Sequence, residues 1–133
     1  MANKGIMSAL GAVYKGLVAR LTRKGVNVGG TASYPRVEVH SVIEGEPLDK
    51  GGHIRAITCV VECISEERMS DVMEMNEDNL ALVLSGALNV DEPWIIIDIQ
   101  PGQLQELTET SETNTILYRL LQNVTVYVER LTE

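Results

Sequence analysis

The sequence has no phenylalanine, a single tryptophan and four tyrosines, so any core it builds must be filled by aliphatic side chains. It also lacks an apolar run approaching the roughly 20 residues needed to cross a bilayer, and no membrane-spanning helix is expected. Cysteine is nearly absent. Cys59 and Cys63 stand four apart in an alternating segment, which at about 3.3 Å per residue puts their Cα atoms about 13 Å apart. A disulfide bridges less than about 7 Å, so the two are expected as buried free thiols in a reducing compartment. The only imidazoles are His40 and His53. Their spacing with the cysteines matches no metal-ligand pattern, and a buried thiol is inert as a nucleophile. The glycine pairs at 29–30 and 51–52 lack the strand, G-x-G-x-x-G and helix order of a dinucleotide site. No catalytic residue, metal or cofactor is therefore expected.

What is present describes one globular domain over residues 1–133, with 44% hydrophobic and 23% charged residues, a balance that argues against disorder. Ile6, Met7, Leu10, Val13, Tyr14, Leu17, Val18 and Leu21 recur at spacings of three and four and predict an amphipathic helix over 5–24, with Gly25 as C-cap. Lys15, Arg20 and Arg23 interrupt this stretch, so it reads as a mature helix of a cytoplasmic protein rather than a secretory signal. Alternation predicts strands over 35–43 and 54–65 around an exposed loop at 44–53. A second helix follows, capped by Ser65 or Ser70, with Met69, Val72, Met73, Leu80, Val83 and Leu84 on its apolar stripe. The methionines Met69, Met73 and Met75 read as core filler. A short strand at 93–100, a polar acidic loop at 101–114 and a long final strand over 114–131 complete the chain.

The expected class is α+β, ordered α-β-β-α-β-β, with two helices packed on one face of a mainly antiparallel four-stranded sheet. The second face then has no partner within the chain, while Val60, Ile64, Leu117 and Leu121 point toward it. A contiguous apolar surface of that kind marks an interface, and Leu117→Lys is expected to block assembly while leaving the monomer folded.

Charge is divided along the chain. Residues 1–55 hold eight Lys and Arg against four Asp and Glu; residues 56–133 hold three against fifteen, and no positive residue lies between Arg68 and Arg119. The split suggests that Arg20, Arg23 and Lys24 of one copy meet the acidic Glu106, Glu109 and Glu112 of the next, a head-to-tail contact able to close into a ring. A basic groove for tight DNA binding is absent, whereas an acidic wall would let DNA slide past.

The stretches "LGAVYKGLVARL" and "YPRVEV", a further strand and long helix, and the late "ILYRLLQNVTVYVERL" resemble the tail-completion or tail-terminator (head–tail joining, neck) proteins of tailed bacteriophages over roughly residues 8–131. The acidic "QLQELTETSETN" segment is longer than that pattern. The resemblance implies a non-catalytic virion subunit in the tail or neck, assembled in the host cytoplasm as a hexameric or dodecameric ring. Connector or portal-side proteins and tail proteins would flank it, loops 44–53 and 101–114 would dock them, and the genome would pass through the lumen without specific binding. A second reading stays open: a small ligand-binding or regulatory α+β domain acting as a dimer through the same open sheet face.

Overall fold

The computed structural model describes residues 8–23, 25–86 and 88–131. The element order is α1 (Ala9–Leu21), β1 (Asn27–Val28), β2 (Arg36–Glu44), β3 (Ile54–Ser65), α2 (Met69–Leu84), β4 (Trp94–Thr110) and β5 (Ile116–Arg130). The strands form one five-stranded sheet in the order β1-β2-β3-β5-β4. The α+β class stands, but the sheet is mixed and five-stranded rather than four-stranded and antiparallel. The four long strands are antiparallel to their neighbours, and β1 adds a short parallel edge to β2. Two residues carry no readable period, so β1 left no pattern. It is held by local bonds: Asn27 Nδ2 donates to the carbonyls of Ser33 and Pro35, and Gly29 N–H donates to Val37 O at 2.9 Å.

Helix α1 starts at Ala9 because the Ser8 hydroxyl accepts from Gly11 N–H at 3.0 Å, satisfying one orphan donor of the first turn. It ends at Leu21, short of the expected 24, where Thr22 N–H and Oγ1 both donate to Val18 O. Ile6, Met7 and Lys24 lie outside the described residues. The buried stripe is Ala9, Ala12, Val13, Gly16, Leu17 and Leu21, and Tyr14 is exposed. Small residues on this stripe let α1 close on the segment after α2: a Cβ on Gly16 would sit 2.5 Å from Asn89 O.

Neither Ser65 nor Ser70 caps α2; Arg68 occupies the N-cap without a side-chain capping bond, and Ser65 Oγ accepts from Glu67 N–H just before the helix. The buried residues of α2 are Val72, Asn76, Asn79 and Val83, whereas Met73 and Leu84 are exposed. The helix is rotated from the apolar stripe because its asparagines find polar partners in the core. Asn79 Nδ2 donates to Cys63 Sγ at 3.2 Å and its Oδ1 accepts from Arg23, while Asn76 Nδ2 reaches Gln122 Oε1.

Strand β4 runs through what the sequence suggests is a loop. Residues 101–110 are mostly polar and all exposed, Leu104 and Leu107 included, so pairing with β5 rather than burial makes them a strand. Register slips by a bulge between Pro101 and Leu104, where a missing N–H is tolerated. Buried Gln122 holds the bulge, donating to Gly102 O at 3.0 Å. The true turn is 111–115, closed by Ser111 N–H on Thr115 O with Asn114 at φ 63°.

The core lies between the helices and one sheet face. It joins Val13, Leu17, Leu21, Val72 and Val83 to Val37, Ile57, Val61, Leu120, Val124, Val126 and Val128, with Trp94 at its margin. Gly16→Ala tests the α1 contact. The added methyl improves helix propensity by about 1 kcal/mol, but forcing it against the Asn89 carbonyl costs about 1–3 kcal/mol. The urea midpoint is expected to fall, and a rise would show that the 88–90 segment yields without cost.

Candidate functional site

Alternation places Val60, Ile64, Leu117 and Leu121 together on the sheet face turned away from the helices, as the sequence suggests. The face is not the bare apolar patch expected. Ile64 is fully buried and Leu117 only 7% exposed, while Val60 and Leu121 are half-buried. Leu117→Lys therefore disturbs the fold as well as any contact, contrary to the expectation that the monomer stays intact. The reason is the company these residues keep. Ile64 pairs across the sheet with Arg36 on one side and Arg119 on the other, and their long stems cover it.

A chain of charges runs over this face through four strands. Glu62 on β3, 5% exposed, gives one carboxylate oxygen to His40 Nε2 of β2 at 2.7 Å and the other to Arg119 Nη1 of β5 at 2.7 Å. Arg119 also donates from Nε and Nη2 to Glu109 of β4, each at 2.7 Å. Beyond His40, its Nδ1 lies 2.8 Å from Ser41 Oγ. Burial by itself would lower the Arg119 pKa, but its hydrogen bonds to Glu62 and Glu109 outweigh that and hold the guanidinium above its ordinary value. Every oxygen of the buried carboxylate is thus matched, which is what makes its desolvation tolerable. Sequence reasoning passed over this network. Its signal was there: one Glu and one Arg, each inside an otherwise apolar strand, are hard to bury except against each other.

Arg20 and Arg23 meet α2 within the same chain. Arg20 Nε donates to Leu82 O at 3.1 Å and its Nη2 to Ser85 Oγ at 2.9 Å, and Arg23 Nη2 donates to Asn79 Oδ1 at 3.0 Å. Two cations thus lie along the C-terminal part of α2, Arg20 on its last-turn carbonyls, where the helix dipole favours positive charge. Seven of the nine described lysines and arginines are held in bonds inside the chain: Lys15, Arg20, Arg23, Arg36, Arg55, Arg68 and Arg119. Glu106 and Glu112 are exposed on β4 and its turn. The charge division along the sequence therefore becomes an outer surface that is mainly acidic.

One edge of the sheet is β4. Beside its first half lies a cleft of about 510 Å³, lined by Leu84, Leu88, Val90, Trp94, Ile96 and Ile99 among others. Asn89 and Asp98 supply its polar side chains.

The two cysteines and His40 point to opposite faces of the sheet, so they form no Cys–His pair. Burial pushes the Cys59 thiol up to about 11 and Cys63 up to about 12. No group of three or more metal-ligating side chains gathers among the described residues, and no described helix is long and apolar enough to cross a membrane.

No protein-family model matches the sequence, and no curated protein matches it. The fold is similar to that of a chain in the virion of a native gene transfer agent particle, with TM-score 0.65 and 14% identity, over 92% of this chain and 95% of that one. The likeness is one of fold.

Two outcomes follow from this geometry. Arg119→Met strands Glu62 without its main partner and is expected to cost about 3 kcal/mol in chemical denaturation, whereas Glu62→Gln, which keeps a hydrogen-bonding amide, is expected to cost less. The thiols titrate near 9.0 when unfolded, and burial raises them to about 11 and about 12 in the fold. Their contribution is therefore complete below about pH 9 and is lost as pH rises through the folded values. Iodoacetamide at pH 8 should leave the native protein unmodified and label both cysteines in urea; labelling without denaturant would contradict the burial.

Proposed function

We propose that this chain is a structural subunit of a phage-like virion, one copy of a hexameric or dodecameric ring at the head–tail junction. The observation that carries this reading is the fold shared, almost end to end, with a chain of a gene transfer agent virion. The ring joins connector-side proteins to tail proteins, and its lumen passes the genome. The acidic surface supports that role: with a formal net charge of −8 and most cations internally bonded, the subunit repels a polyanion and lets it slide.

The contact between copies is assigned to the β4–β5 hairpin. It carries Leu117 and Leu121 on the face of the charge chain, and Glu106, Glu109 and Glu112 along its edge and turn. Arg20 and Arg23 act from behind, fixing α1 to α2. A second reading, a ligand-binding or regulatory dimer, has the cleft beside Trp94 in its favour.

Size-exclusion chromatography with light scattering separates the two. A mass of six or twelve chains is expected, with association strengthening as salt rises, because like-charged subunits are screened when the Debye length shrinks from about 30 Å at 0.01 M to about 8 Å at 0.15 M. A tight dimer carrying a metabolite would sink the ring and support the second reading.

A further inference from the structure

We propose that Ser41 is a nucleophilic serine, activated by His40 and Glu62, that takes an acyl group from an activated carboxylic ester. Ser41 lies on β2, outside the β4–β5 hairpin assigned to the ring, so the proposal goes beyond that reading and does not depend on it.

The backbone is what brings the hydroxyl to the imidazole. Adjacent residues of a regular strand point to opposite faces, which would part Ser41 from His40. Pairing with β3 slips between His40 and Ile43, leaving Ser41 and Val42 outside the register, and Ser41 takes φ 53°. A residue with a Cβ rarely occupies that left-handed region, and such positions gather at functional sites. With this backbone, Ser41 Oγ lies 2.8 Å from His40 Nδ1. Exposure falls from one group to the next: Ser41 is exposed, the His40 side chain is 36% exposed and that of Glu62 only 7%. The nucleophile thus faces solvent while its support is held inside.

The proton positions follow from the partners. The Glu62 carboxylate accepts from Arg119 on one oxygen, and its other oxygen, 2.7 Å from His40 Nε2, accepts the hydrogen that the ring nitrogen carries. A neutral ring protonated at Nε2 has its lone pair on Nδ1, so the Ser41 hydroxyl donates to it. A nucleophile within hydrogen-bond reach of a base that a third group orients is the general pattern of an activated serine. In the step, Oγ bonds to the ester carbonyl carbon as its proton passes to Nδ1, and the carbonyl electron pair moves to the oxygen. On collapse the bond to the leaving group breaks. A phenolate departs with that pair, the acyl group stays on Oγ, and the imidazolium returns its proton to solvent. On this sheet face the three carboxylates Glu38, Glu62 and Glu109 are paired with only two guanidiniums, Arg36 and Arg119, so the positive charge that forms on His40 is answered as it appears.

The test incubates the full chain with p-nitrophenyl acetate in mildly alkaline buffer, follows release of nitrophenolate and locates the acetyl group by peptide mass mapping. An acetyl ester on Ser41 is expected, with the exposed Ser70 unmodified as internal control. His40→Gln should slow the labelling of Ser41 by about a hundredfold. Ser41→Gly should abolish labelling at position 41 while keeping the bulge, because glycine adopts a positive φ freely. Glu62 is a positioning residue, and its role is read spectroscopically. Nitrogen NMR should show the proton of neutral His40 on Nε2 in the native protein and shared between both nitrogens in Glu62→Gln, with labelling several-fold slower. The proposal is overturned by the absence of an acetyl group on Ser41, by labelling of Ser70 at the same rate, by an unchanged rate in His40→Gln, or by a native His40 that carries its proton on Nδ1.

Discussion

Two short helices can cover only one face of a sheet this wide, and that constraint governs the rest of the molecule. The strands alternate, so β3 and β5 send Ile57, Val61, Leu120, Val124, Val126 and Val128 to the helix side, where burial stabilises the fold. The opposite face has to come to terms with water by itself. It does so by placing Glu62 between His40 and Arg119, tying Arg119 to Glu109, and letting the arginine stems lie over Ile64. The charge chain spans β2, β3, β5 and β4, and so ties the edge strand to the strands that carry most of the core.

A polar lattice does comparable work inside the core. Asn79 links Cys63 to Arg23, Asn76 reaches Gln122, and Gln122 holds the Gly102 carbonyl at the β4 bulge. These bonds set the rotation of α2 and the place where β4 changes register. The cleft beside Trp94 exists because α2 ends at Leu84 and the chain must return past α1, close enough that Gly16 abuts the Asn89 carbonyl, before β4 begins. Packing between helices and local backbone contact thus shape the apolar recess beside the β4 edge.

Both helices, β2, β3 and β5 were legible because each has a strong period: three and four for Val13, Leu17 and Leu21, two for Val124, Val126 and Val128. The second half of β4 was not legible. "QLQELTET" has no apolar face, since an edge strand is stabilised by backbone pairing to its neighbour and owes little to the chemistry of its side chains. The stripe of α2 differs for a related reason: a hydrophobicity count skips Asn76 and Asn79, yet Asn79 is buried between Cys63 and Arg23, and Asn76 is buried with its amide on Gln122 and its Oδ1 unpartnered among the described residues. Arg20, Arg23, Glu106, Glu109 and Glu112 read as a linear charge division, but linear order says nothing of which cation lies over which helix end.

The sequence alone determined the aliphatic core, the α+β class, the unpaired buried thiols and the surplus of acid, because composition and period act locally and survive any arrangement of the elements. The tertiary structure alone decided that Glu62 meets Arg119, that Arg20 and Arg23 are bonded to α2 and its C-terminal end, and that β4 becomes an edge strand beside an apolar cleft. Those outcomes depend on register and on distances between residues far apart in the chain, which no local pattern encodes.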